Sequence, residues 1–255
     1  MKTKILRAVK SCAPLALLTC LTPLASVANA EENYRSAMFD FSGDELTAKV
    51  AATTSLQKQN QTLVLYCQSN IDVAGKASHS RCYDKAGNIE VVKQTESAVD
   101  GMAFTAAQVN GKEVPVRMSY RVAYHSADNE VKAMLIPNLG SMHERYGRDY
   151  IAPQERLDVS NWYDEYNKNS WVNGEAFLGK GDMSRVAATV DEQGKTDVVR
   201  TLDTGRAYKR DANLVKNAVK KSRFIPGFVN GKPVPMGYLA VVNYQTDSGS
   251  AVTSR

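Results

Sequence analysis

Histidine, proline, aromatic side chains and net charge are all scarce in this 255-residue chain, and each shortage excludes a class of protein. The three histidines, His79, His125 and His143, have no ligand-spaced partners, which argues against a histidine metal site. The eight prolines are scattered, so no proline-rich spacer exists. Past residue 30 no apolar run approaches the roughly 20 residues that span a bilayer. The formal charge of +5 shrinks once Lys2, Lys4, Arg7 and Lys10 are set aside: 32 basic against 27 acidic residues becomes 28 against 27. A remainder of +1 without clustering gives no footprint for a phosphate backbone, so no nucleic-acid partner is expected. With 43% hydrophobic and 23% charged residues, the chain is globular in composition.

The four early basic residues have their own explanation. They precede an apolar run from Ala13 to Ala28 and then Ala28-Asn29-Ala30, the small-x-small pattern of a cleavable signal peptide over 1–30. Export to the periplasm removes Cys12 and Cys20 and leaves Cys67 and Cys82 where disulfides persist, so one bridge is expected between them.

The chain repeats itself. Ala98 to Tyr124 set against Ala218 to Tyr244 gives 11 identities in 27 positions without a gap, including Phe104/Phe224, Asn110-Gly111-Lys112/Asn230-Gly231-Lys232 and Val114-Pro115/Val234-Pro235. Upstream, strand-like runs at Thr62 to Ser69 and Ala77 to Tyr83 have counterparts at Arg185 to Val190 and Lys195 to Thr201. A helix follows, clearest in the second copy, where Leu214, Val215, Ala218 and Val219 share a face behind Asp211 as an N-cap. Asn-Gly then marks a tight turn, and a closing strand ends each copy. The expected class is α+β: two units, each a small antiparallel β-β-α-β sheet with a helix on one face. If Ala74 and Gly75 are the centre of a two-residue loop, opposed residues have numbers summing to 149, which sets Cys67 against Cys82.

Ala218-Val219, Phe224-x-Pro226 and Asn230-Gly231-Lys232-Pro233-Val234 with the strand after them resemble the C-terminal domain of the TonB energy-transducer family. The first copy resembles it less closely, with Ala106 and Glu113 in place of two prolines. The resemblance implies a periplasmic domain that adds an extended segment of a protein partner, such as an outer-membrane receptor, to a sheet edge. The family's transmembrane anchor and spacer are not matched here. Strands led by Pro115 and Pro235 suit edges on physical grounds too, because proline donates no ladder hydrogen bond. In the first copy Arg117, Ser119 and Arg121 read as a wet face; in the second, Leu239 and Val241 make both faces apolar, so something must cover them. The expected partner-binding edge is Met236, Tyr238, Leu239, Ala240, Val241, Val242 and Tyr244.

The boundaries read as 1–30 signal, 31–125 first unit with a helical lead-in, 126–157 connector and 158–255 second unit. Between the copies, Trp162 and Tyr166 lie one turn apart after Ser160, a short amphipathic helix that packs on the sheets. Catalytic motifs fail on detail. His143-Glu144 meets Gly147 where a zinc protease needs its second histidine, and Gly174 to Lys180 ends on Gly181 where a phosphate loop needs Ser or Thr. The expectation is a non-enzymatic binding or adaptor protein without metal or cofactor, with a self-assembling envelope homodimer or a peptidoglycan binder as competing classes. Intact mass of the periplasmic protein should begin at Glu31; retention of residues 1–30 would refute cleavage.

Overall fold

The computed structural model describes residues 32–50, 61–128, 130–170, 174, 176–177, 182–203 and 209–244. The proposed signal peptide, Trp171 and most of the Gly174 to Gly181 motif lie outside these residues. In chain order the elements are β1 (Tyr34–Arg35), β2 (Met38–Phe39), α1 (Gly43–Val50), β3 (Gln61–Ile71), β4 (Ala77–Asp84), α2 (Ile89–Val99), β5 (Phe104–Thr105), β6 (Ala107–Val109), β7 (Lys112–Val114) and β8 (Val116–Ala127). Then come β9 (Glu130–Ile136), α3 (His143–Tyr146), β10 (Gln154–Arg156), α4 (Trp162–Asn169), β11 (Met183–Val190), β12 (Thr196–Asp203), α5 (Lys209–Val219), β13 (Phe224–Ile225), β14 (Gly227–Val229), β15 (Lys232–Val234) and β16 (Met236–Asn243). The fold is mixed α+β, and every described strand pair is antiparallel.

The order from β3 to β8 recurs from β11 to β16, and the triple β4-β3-β8 has its counterpart in β12-β11-β16. Local chemistry recurs with it. Asp72 and Asp191 each close the first turn by accepting two backbone N–H groups on Oδ1. Gly75 and Gly194 then have positive φ and press against the carbonyls of Phe104 and Phe224, where any side chain would collide. Their own carbonyls accept from Phe104 N and Phe224 N at 2.8 and 2.9 Å. Both Asn-Gly turns adopt the expected left-handed pair, φ 53 and 78° at Asn110-Gly111 and 50 and 74° at Asn230-Gly231.

The recurrence reaches further upstream than sequence identity does. Arg35, Met38 and Phe39 face Gln108, Thr105 and Phe104, just as Ile151, Gln154 and Glu155 face Phe228, Ile225 and Phe224. A helix follows each lead-in, α1 and then α4. The second series of elements thus has a lead-in at Ile151–Glu155 that pairs with Phe224–Phe228. The stretch between the two series holds β9 and α3.

Two helix starts differ from expectation by one or two residues. Asn161 caps α4, its side-chain oxygen accepting from Asp164 N at 3.0 Å, so Ser160 does not. Helix α5 begins at Lys209 and leaves Asp211 inside the first turn, where a carboxylate still complements the helix dipole. The apolar stripes of α2 (Val91, Val99) and α5 (Val215, Val219) are buried against their sheets.

The cysteines pair as the sum of 149 requires, but by a different route. Ile71↔Ala77 and Asn70↔Ser78 sum to 148, because the turn carries an additional residue. A bulge then sets His79 (φ 53°) and Ser80 against Ser69, which restores 149 at Gln68↔Arg81 and Cys67↔Cys82. The disulfide forms there, with Cα atoms 4.1 Å apart and 15 residues of separation. Val186↔Thr201 occupies the equivalent pair in the second series. Replacing both cysteines by serine should leave the fold intact and lower its stability by up to about 3 kcal/mol in denaturant titration, less if hairpin strands stay close when unfolded. Two alkylatable thiols in protein purified and denatured without reductant would show the bridge absent.

Candidate functional site

Sheet edges are where an extended partner can bind, and the two series of elements treat theirs differently. Strand β8 is interior. Strand β3 pairs along one side from Val116 to Ser126; on the other, β9 pairs Arg121–Ala127 and β10 pairs Val116–Arg117. The Pro115-led strand is thus no edge, contrary to expectation, because β9 and β10 close it. The outer side of β4 is capped by α2: Ser80 N donates to Asp100 Oδ1 at 3.0 Å and Cys82 N to Glu96 Oε1 at 2.7 Å. On β9, Ala133 N donates to Thr47 Oγ1 of α1 at 2.9 Å.

Strand β16 pairs with β11 over its full length, and no described strand pairs with its other side. Nor does one pair with the outer side of β12, where Lys216 and Lys220 stand at the places of Glu96 and Asp100. Of the expected edge residues, Met236, Ala240, Val241, Val242 and Tyr244 are buried, and Ala240, Val242 and Tyr244 pack with Val215 and Val219 of α5. Tyr238 shares their row, and its hydroxyl accepts from Trp162 Nε1 at 3.0 Å. Leu239 and Val241 project to the opposite face, around a void of about 20 Å³ shared with Tyr66, Gln68, Ser119 and Phe177. The cover that their apolar character demands therefore comes from β3, β8 and the 176–177 segment. Gly174 also packs against Val242. At the start of β16, the Tyr146 hydroxyl donates to Pro235 O at 2.6 Å and Met142 lies over Gly237.

Beside that start lies a cleft of about 590 Å³, within the size range of ligand pockets. Its floor is Ala187, Thr189, Gly237 and Leu239, small residues for the most part, and Met142 and Tyr150 wall it. Arg200 is the one charged side chain among the described lining residues.

The row Arg117, Ser119, Arg121, expected to be wet, is instead buried or half-buried. Arg117 is 6% and Glu155 0% exposed, and they form an ion pair at 2.9 Å. Arg117 Nε also donates to Asn70 Oδ1 at 3.3 Å, and the guanidinium lies 5.8 and 5.1 Å from the ring centres of Trp162 and Tyr163. The other Glu155 oxygen accepts from Trp162 N at 2.9 Å. Arg121 is tied to the Asn138 carbonyl and side-chain oxygen, both at 3.0 Å. Burial pushes Glu155 up to about 7 against the pull of Arg117, and burial together with the Glu155 charge raises the Tyr238 phenol. The aromatic connector follows the packing expectation, since Trp162 and Tyr166 are buried with Val186 and Val242. Among the described residues no three His, Cys, Asp or Glu side chains gather as a metal site. No protein-family model, curated protein or solved structure matches the chain.

The pair makes a signed prediction. With its folded-state pKa above the ordinary 4.5, Glu155 holds its proton more tightly in the fold than in the unfolded chain. Its contribution to stability therefore falls as pH rises from about 4.5 through about 7. Arg117→Met should cost about 3–5 kcal/mol at pH 8 by stranding a buried carboxylate. The loss should shrink at pH 5, where Glu155 protonates, and largely vanish in the Arg117→Met/Glu155→Leu double variant. A loss independent of pH would mean that Arg117 acts through packing alone.

Proposed function

We propose that this chain is an exported, non-enzymatic periplasmic adaptor built from two units similar to the TonB C-terminal domain, and that it holds an extended protein segment against β16. One observation carries the reading. The outer side of β8 already accepts extended backbone in β9 and β10, whereas the corresponding side of β16 has no described strand. An unpaired edge offers N–H and C=O groups to any segment that can lie along it. The leader over 1–30, the Cys67–Cys82 disulfide and the closeness of the second copy to the family's turn-and-strand pattern support a partner presented in the periplasm, such as a segment of an outer-membrane receptor.

Binding begins at the Met236–Tyr238 end, because Gly174 and the 176–177 segment flank Leu239 to Val242. A proline scan from Gly237 to Val241 tests the mechanism. Alternate positions turn their N–H toward β11, and those variants should lose the fold. The intervening ones should keep their circular dichroism and lose photo-crosslinking to the partner from a probe at Arg200. If every folded proline variant still crosslinks there while proline in β12 abolishes capture, β12 is the binding edge and the β16 reading fails.

A further inference from the structure

The two closing strands differ at one place where they ought to match. In the first series, β10 is an extended segment laid on the start of β8: Glu155 faces Arg117, Arg156 faces Val116, and Leu157 N donates to Pro115 O at 2.9 Å. A shift of 120 carries Arg117, Val116 and Pro115 to Gly237, Met236 and Pro235. At Pro235 the carbonyl is held by the Tyr146 hydroxyl, a side chain standing where the first copy has a backbone donor. At Gly237 there is neither a cation nor a side chain, and the cleft of about 590 Å³ opens over it.

We infer that the segment bound by β16 lies in the frame that β10 adopts on β8, with a large apolar side chain opposite Gly237 that fills this cleft. This inference rests on the strand-addition reading and adds the chemistry of the partner. A carboxylate opposite position 117 is matched by a guanidinium on the neighbouring strand; the same carboxylate opposite Gly237 would meet Ala187, Thr189 and Leu239, with the one lining cation, Arg200, two strands away on β12 and too far to replace that ion pair. An aromatic or branched aliphatic side chain gains by entering the same space. Residue parity agrees, because Glu155 and Arg117 share the sheet face that corresponds to Gly237 and Leu239. Charge adds a second requirement. Arg200 stands on the rim with no acidic residue among the described lining, so the segment carries acidic rather than basic residues on the cleft side. Two residues beyond the apolar anchor, the segment's N–H takes over the Pro235 carbonyl and releases Tyr146.

The protein supplies its own template for the probe. Three peptides copy residues 151–158: one with Pro153→Glu and Glu155→Phe, one with Pro153→Glu alone, and one with Pro153→Lys and Glu155→Phe. Calorimetry on the full mature chain should rank the first at least about tenfold tighter than the second, as expected for burying a phenyl ring. Ala187→Leu, which fills the floor, should erase that preference, and Arg200→Glu should reverse the preference for Glu over Lys at 153. Tyr146→Phe should tighten all three by about fivefold, since it frees one acceptor. Thermal melts establish that each variant is folded, and exposed Arg200 gives a substitution that leaves the core untouched.

Equal binding of the first two peptides, unchanged by Ala187→Leu but lost in the folded β16 proline variants, would overturn the cleft while leaving strand addition standing. Peptide binding that survives every folded β16 proline variant would sink strand addition itself. Failure of all three peptides, with the natural partner still crosslinked through β16, would overturn the frame borrowed from β10.

Discussion

A buried arginine and a buried glutamate, 2.9 Å apart and almost wholly withdrawn from water, fix how the two series of elements meet. Taking both charges out of water costs several kcal/mol per ion before their attraction offsets it, so the pair is a poor source of net stability. Its contribution is to register. Glu155 finds a cation at one position of β8, and a slip by one residue would turn Arg117 to the other face and strand the carboxylate. Because Glu155 also accepts from Trp162 N, and its neighbour Gln154 brackets the Ala37 backbone with bonds of 2.8 Å in each direction, a three-residue strand is held from several sides. Strand β10 pairs β8 on one flank and β13 on the other, so one sheet runs from the first series into the second.

That wedge explains the asymmetry of the edges. The first series has a covalent follower on its closing strand, supplied by the lead-in of the second, and the outer N–H groups of Ser80, Cys82 and Ala133 meet Asp100, Glu96 and Thr47. The second series follows the same plan but has no third series to supply a lead-in among the described residues. Its closing strand is flanked by side chains and by irregular backbone, Tyr146 and Met142 at one end and Gly174 at the other. Side chains satisfy isolated backbone groups well, yet they release them more readily than a ladder of backbone bonds does, because each contact is lost singly.

Much of this was legible in the residues. The repeat at a shift of 120, both Asn-Gly turns, the cysteine pairing and the short aromatic helix follow from identity, turn chemistry and spacing. The misses share a cause. Strands of two or three residues carry no period, so neither β2 nor β10 could be seen, nor the lead-in that each forms ahead of a helix. Arg117 reads as solvent-facing because alternation assigns a face but cannot supply a counter-charge 38 positions away. The cysteine register was correct although its turn was one residue too short, since the bulge at His79 to Ser80 compensated. Bulges leave little trace in sequence when the residue that adopts positive φ is a histidine.

Difference between the two copies at single positions accounts for the cleft without any new element. Arg117 in one copy and Gly237 in the other sit at the same place on the same kind of strand, and their exchange alters both charge and volume. Where the arginine stands, the space above the sheet is filled by a guanidinium, two aromatic rings and the chain's own carboxylate. With glycine there, and Ala187 and Thr189 beside it, that space becomes a cleft bounded by Met142, whose unbranched side chain adapts to what enters. A pocket made by withholding side chains from a rigid sheet face requires no reorganisation of backbone when it is filled. On the strand-addition proposal the scaffold stays fixed while the flanking contacts at Met142 and Tyr146 give way, and discrimination among segments falls to the shape and charge of the side chain placed over Gly237.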